Sequence, residues 1–190
     1  MTFPSLRHVA LVSPWFVVPG LVGACAPEIN HRFPEIASRI GDFGNTAALV
    51  LGLGYLLVRA VRTGHGPSWR TIVATMGIET GLYLLIKGAT WHIAGRFPRP
   101  SGRDGGFPSG HTAAHVCLAM LLSESSPALA PLWYLWAGLM AWSRVAAGSH
   151  YAYQVLAGAL LGGLVGSIVL RVARSRTPAV VAPATASGLP

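Results

Sequence analysis

The stretch 105–123, GGFPSGHTAAHVCLAMLLS, contains no Asp, Glu, Lys or Arg, yet it carries two histidines one helical turn apart, His111 and His115. Similar uncharged runs cover 9–27, 43–58, 125–143 and 151–170, and a further run, 71–86, is interrupted only by Glu79. A helix that crosses a bilayer needs ~20 mostly apolar residues. Over the 190 residues only 11% are charged, against about 25% in a soluble domain, and the mean hydropathy is +0.52. This pattern predicts an all-α polytopic membrane bundle of about six transmembrane helices.

The net charge of +8 does not point to nucleic acid, because no block of like charges or interleaved basic-aromatic strip is present. The charges sit between the apolar runs. With the N-terminus in the cytoplasm, Arg7, then Arg59, Arg62 and Arg70, then Arg171, Arg174 and Arg176 lie inside, as the positive-inside rule prefers. An equal number of basic residues then lies outside, so the bias holds only if several of those serve chemistry. Cys25 and Cys117 fall in or beside separate runs and read as small buried residues rather than a disulfide or a metal half-site. Ala24-Cys25-Ala26 also resembles a signal cleavage site and Val22-Gly23-Ala24-Cys25 a lipid-attachment site, although Pro14 and Pro19 interrupt the preceding run. A single transmembrane domain over 1–176, with its motif-bearing core at about 40–172, is expected to precede a disordered tail at 177–190 rich in Ala, Pro, Ser and Thr.

Of the fourteen basic residues only Lys87 is a lysine, and it stands just before the arginine- and proline-bearing loop 93–108. Arg96 and Arg99 follow in GRFPRP, Ser109, Gly110 and His111 in FPSGH, and Ser143, Arg144 and His150 in SRVAAGSH. If helices alternate in direction, all of these gather at one water-membrane boundary. Such a cationic cluster repels itself unless an anion sits in it, and guanidinium groups match phosphate oxygens through paired hydrogen bonds. Pro108 before Ser109-Gly110 suggests a helix N-terminus whose free N–H groups favour an anion. Two histidines can then divide the breaking of a phosphate ester, one attacking phosphorus and one protonating the departing oxygen. His115 shares a face with His111 one turn deeper; it reads as a packed polar residue, and no third ligand with zinc-site spacing follows.

These residues resemble the membrane-bound phosphatidic acid phosphatase type 2 (PAP2) family, which shares its phosphate site with the vanadium haloperoxidases. FPSGH is that family's middle motif intact, and Ser143-Arg144, five residues, then His150 reproduces the third. The resemblance implies a helical bundle with its site at the outer face. It implies His150 as the nucleophile that forms a phosphohistidine, His111 as general acid, and Lys87, Arg99, Arg144, Ser109 and the Gly110 amide as phosphate ligands. The scheme calls for no metal and no cofactor; its partners are the membrane and a phospholipid or polyprenyl phosphate substrate.

Two departures stand out. The family has Asp four residues after the nucleophilic histidine, where this chain has Gln154. A Gln side-chain oxygen can still accept the imidazole N–H, but a charged hydrogen bond exceeds a neutral one by ~1–1.5 kcal/mol, or about tenfold in rate. A weakened catalyst, accelerated by Gln154→Asp, is therefore expected. The family also spaces its lysine six residues from Arg-Pro, whereas eleven separate Lys87 from Arg99-Pro100, which leaves Arg96 as an alternative ligand. Glu79, a carboxylate within a span, is costly there; pairing with a histidine and simple protonation are both open. The leading expectation is a lipid phosphatase of a bacterial inner membrane facing the periplasm or cell exterior. Undecaprenyl diphosphate comes first among its substrates, with phosphatidylglycerophosphate, phosphatidate and a lipid A phosphate also open. The alternative is an inactive relative that binds phosphorylated lipid or scaffolds a membrane complex.

Overall fold

The computed structural model describes residues 34–64, 66–93 and 97–176. The first apolar run, the cleavage-like site, Arg96 and the expected tail lie outside those residues. A short helix α1 (Pro34–Arg39) continues through a π-helical turn (Ile40–Gly44) into α2 (Asn45–Thr63). Then come α3 (Trp69–Ile93), α4 (Gly110–Ser125), α5 (Ala130–Ala146) and α6 (Ala152–Ser175). Gly64 ends α2 in the left-handed conformation, which glycine adopts without a Cβ penalty.

The all-α expectation holds, and six spans are not seen: among the described residues, three helical stretches are long and apolar enough to cross a bilayer, Pro34–Thr63, Trp69–Trp91 and Ala152–Ser175. The runs 105–123 and 125–143 each yield a shorter helix. Residues before Gly110 stay in a loop, and Ser126 with the 3-10 turn Pro127–Leu129 separates α4 from α5. At 16 and 17 residues these helices reach about 24–26 Å at 1.5 Å per residue, less than the ~30 Å hydrocarbon core.

Helix α4 is the axis of the bundle, packed against α2, α3, α5 and α6. It is apolar on every side, as a helix enclosed by others must be, and Thr112, Ala113, His115 and every residue from Val116 to Leu122 are buried. Helix α6 crosses it closely because Gly158, Gly162 and Gly166 recur every four residues. A Cβ on Gly158 would lie 2.3 Å from the Ser109 carbonyl oxygen, and one on Gly162 2.3 Å from that of Ala113. Small residues at this spacing let membrane helices approach backbone to backbone. On the opposite face of α6, Leu156, Leu160, Leu164 and Ile168 are exposed. An exposed leucine stripe outside and a glycine stripe inside reverse the soluble pattern, and the long apolar helices are those of an integral membrane protein.

Candidate active site

The loop 97–109 and the turn 147–151 meet at one end of the bundle. The loop is a closed one: Gly106 N–H bonds to the Phe97 carbonyl at 2.8 Å and Arg99 N–H to the Arg103 carbonyl at 2.7 Å. The turn after α5 folds back on itself, with the amides of Ser149 and His150 both donating to the Arg144 carbonyl at 3.0 Å. Gly148, at φ +64°, supplies the backbone this reversal needs. The five residues between Arg144 and His150 are thus the length of a turn that brings arginine and histidine to the same place.

His150 is buried, and its Nδ1 lies 2.8 Å from the Gly106 carbonyl oxygen and 3.1 Å from Gln154 Oε1. A carbonyl only accepts, so Nδ1 carries the hydrogen and Nε2 keeps its lone pair. The Gln154 amide is oriented independently. Its Nε2 donates to the Pro98 carbonyl at 3.0 Å and to the Tyr153 hydroxyl at 3.1 Å, while Oε1 also accepts the Tyr151 amide at 3.2 Å. Burial, reinforced by the positive charge of Arg99, pushes the His150 imidazole down to about 4. It is therefore neutral at physiological pH, the state in which Nε2 can attack.

Two cations whose charges act on this imidazole, Arg99 and Lys87, have buried nitrogens with no hydrogen-bond partner, Arg99 Nε and Lys87 Nζ, and Arg144, whose charge acts on His111, has one in Nη2. Lys87 and Arg99 meet at Gly105, whose carbonyl accepts from Arg99 Nη2 at 3.4 Å and whose Cβ position is 3.5 Å from Lys87 Cε. The long spacing from Lys87 to Arg99 is thereby explained. Helix α3 runs on to Ile93 and the loop returns over Trp91, so the loop comes back to the lysine and the lysine need not stretch forward. Lys87 Nζ lies 4.8 Å from the centroid of the Tyr83 ring, a cation–π contact. The same ring fills the space beside Gly110, where a Cβ would be 2.7 Å from Cζ of Tyr83. Tyr83 was not legible as a site residue, although its position one turn before Lys87 on α3 was the available signal.

Helix α4 begins at Gly110 with Ser109 as N-cap and no side-chain cap, so Pro108 precedes the cap and is not the first helical residue. The Ser109 hydroxyl pairs with Thr112 Oγ1 at 3.0 Å and its amide donates to the Gln154 carbonyl at 3.0 Å. The first N–H groups of α4 are thus not capped by Ser109, at the helix end where an anion is favoured. His111 stands in that first turn, where the charges of Arg144, Asp42, Arg99 and Lys87 act on it. All the expected site residues except Arg96, which is outside the described residues, therefore fall in this one region.

Two other polar residues separate from the site. His115 is buried between helices, its Nδ1 accepting from Trp136 Nε1 at 3.2 Å and its Nε2 lying 3.2 Å from Asn45 Oδ1. Glu79 is buried in α3, where Oε2 accepts from the Thr80 hydroxyl at 3.3 Å and Oε1 has no partner. It does not replace the missing Asp, because Nδ1 of His150 is held by Gly106 and Gln154.

In comparison with known families, the model of the PAP2 superfamily matches residues 86–178. No curated protein and no solved structure matches the chain.

Proposed function

We propose, from the premise that residues 86–178 form a PAP2 superfamily domain, that this chain is a membrane phosphatase acting on a lipid phosphate or diphosphate through a phosphohistidine. The observation that carries the reading is the pairing of a neutral His150, committed through Nδ1 and open at Nε2, with two neighbouring cations, Lys87 and Arg99, each of which has a buried nitrogen without a hydrogen-bond partner. Nε2 attacks phosphorus, and the lipid-oxygen bond breaks as His111 gives its proton to the departing oxygen. Lys87, Arg99, Arg144 and the first amides of α4 stabilise the charge spread over the equatorial oxygens, the main source of catalysis in phosphoryl transfer. Water activated by His111 then releases phosphate from His150.

A lipid substrate is supported by the setting. An apolar groove of about 620 Å³ between α2 and α3, lined by Leu53, Leu57, Met76, Gly77, Gly81 and Leu84, ends one turn short of Lys87, room for a hydrocarbon tail. A polyprenyl diphosphate such as undecaprenyl diphosphate is our first candidate. The site then faces the outer side of a bacterial inner membrane.

The test is phosphate release by the purified protein in detergent with EDTA, from undecaprenyl diphosphate, phosphatidate and phosphatidylglycerophosphate in parallel. The reading expects release that His150→Ala abolishes. Release that survives in that variant, or none from any lipid by the wild type, would move the assignment to a protein that binds phosphorylated lipid without turning it over.

A further inference from the structure

The lysine of the site is restrained by an aromatic ring. Lys87 Nζ is buried without a hydrogen-bond partner among the described residues. It lies 4.8 Å from the centroid of the Tyr83 ring, one turn earlier on α3, where i,i+4 side chains share a face. A buried ammonium left without compensation is costly, and the negative face of an aromatic ring supplies part of that compensation. The same ring lies on Gly110, the first residue of α4: a Cβ there would fall 2.7 Å from Cζ and 2.8 Å from Cε2 of Tyr83, so a side chain at that position would displace the ring. One ring thus touches both the lysine of α3 and the end of α4 whose first N–H groups the Ser109 side chain leaves uncapped. Lys87 Cε stands 3.5 Å from the Cβ position of Gly105, whose carbonyl accepts from Arg99 Nη2 at 3.4 Å. The ammonium charge acts on both His111 and His150.

We propose that Tyr83 is a positioning residue of the phosphate site, its ring face holding the Lys87 ammonium beside the N-terminal end of α4 so that lysine and helix amides meet the same phosphoryl group. The inference rests on the phosphatase reading and adds to it a residue upstream of the matched region. A cation close to Arg99 and to a helix N-terminus is repelled by both, and on its flexible four-carbon stem it would have to be ordered anew by each substrate. A carboxylate could hold it, but would cancel its charge and repel the incoming phosphate. An aromatic ring attracts the ammonium through its quadrupole and carries no net charge. The lysine is then ordered beforehand with its full charge left for the substrate.

The test uses the full-length protein in detergent, read both as kcat/KM on an accepted lipid phosphate and as the Kd for orthovanadate, a phosphate analogue that needs no turnover. Tyr83→Phe keeps the ring and should stay within about twofold of wild type in both, whereas Tyr83→Leu should lose about tenfold. Phenylalanines carrying one, two and three ring fluorines, incorporated at position 83, withdraw electron density from the ring face with little change of shape. Both kcat/KM and vanadate affinity should fall stepwise along that series, a readout that a merely space-filling ring would not give. In a Lys87→Met background the series should be flat. A flat series with Lys87 present, a stepwise fall that persists in Lys87→Met, or a Tyr83→Phe loss equal to that of Tyr83→Leu overturns the proposal. If Tyr83→Leu does not fold, the near-isosteric fluorine series decides alone. Survival of activity in His150→Ala would sink the phosphohistidine reading instead, and the vanadate series would still report on Tyr83. A wild type that neither hydrolyses a lipid phosphate nor binds vanadate ends the phosphatase reading and takes this inference with it.

Discussion

Two buried histidines, His115 and His150, sit in networks that look alike and behave oppositely. At His115 both ring nitrogens are spent: the Trp136 indole donates to Nδ1, so Nε2 carries the hydrogen and gives it to Asn45. The ring joins α2, α4 and α5 and has nothing left for a ligand. At His150 two acceptors converge on one nitrogen, which leaves the other with a lone pair in the field of Arg99 and Lys87. A histidine satisfied at both ends is structure; one satisfied at a single end is available for chemistry.

That contrast can be broken most severely at His150. Replacing it with Ala should remove turnover, a loss beyond about 10³-fold, while the detergent-solubilised melting temperature changes little; a residual rate near wild type would end the assignment of the nucleophile. His111→Ala should follow, with a loss of about 10²–10⁴-fold, the usual contribution of a positioned acid. The loss should be smaller on substrates whose leaving group needs no proton, such as an aryl phosphate with an acidic phenol.

Replacement of His115 with Leu tests the other side. It strands the Trp136 and Asn45 side chains, at about 1–3 kcal/mol for an unsatisfied buried group. A lowered melting temperature with kcat within a few-fold of wild type is expected; a catalytic collapse without loss of stability would show that the two histidines are not so different.

The pH profile sharpens the comparison. Because burial and Arg99 hold His150 down to about 4, its imidazole is neutral above that value and protonated below it. The acid limb of kcat/KM assigned to the nucleophile should therefore lie near pH 4 and not near the usual 6.5. Arg99→Gln removes a positive neighbour and should move that limb upward, alongside its loss of phosphate affinity.

The smallest expected effect concerns Gln154. Considered only as a neutral substitute for Asp, it predicts a faster Gln154→Asp enzyme. In place, Gln154 accepts from His150 and the Tyr151 amide and donates to Pro98 and Tyr153, tying the histidine turn to the arginine loop. Asp is one methylene shorter and has no donor, so the variant gives up two bonds worth about 0.5–1.5 kcal/mol each while gaining a charge. We expect kcat no higher than wild type and a lower melting temperature. An acceleration of tenfold would mean that the charge matters more than the tie.

Much of this was legible in order along the chain. Alternation of apolar runs with basic connections places Lys87, Arg99, His111, Arg144 and His150 at one end of a helical bundle, because a membrane allows few directions for a helix to run. The His111 and His115 spacing puts both on one face, since 3.6 residues make a turn. The motifs' resemblance to a phosphatase family then supplied the expectation of phosphate chemistry for those side chains. Helix lengths were less legible, because an apolar run does not mark where its capping residue falls: 105–123 became a helix only from Gly110.

Contacts between distant segments were beyond such reading. Nothing local ties Asp42 to Arg144, Tyr83 to Gly110, or the Pro98 carbonyl to Gln154, since each pair is separated by a fold-back of the chain. The glycines of α6 illustrate the division. Their four-residue period is visible in the sequence as a potential close-packing face, but only the assembled bundle selects α4 as the helix they admit. Residue type and period determine what a segment can bury and which chemistry it can offer. Three-dimensional packing determines which nitrogen of a histidine is left free to use it.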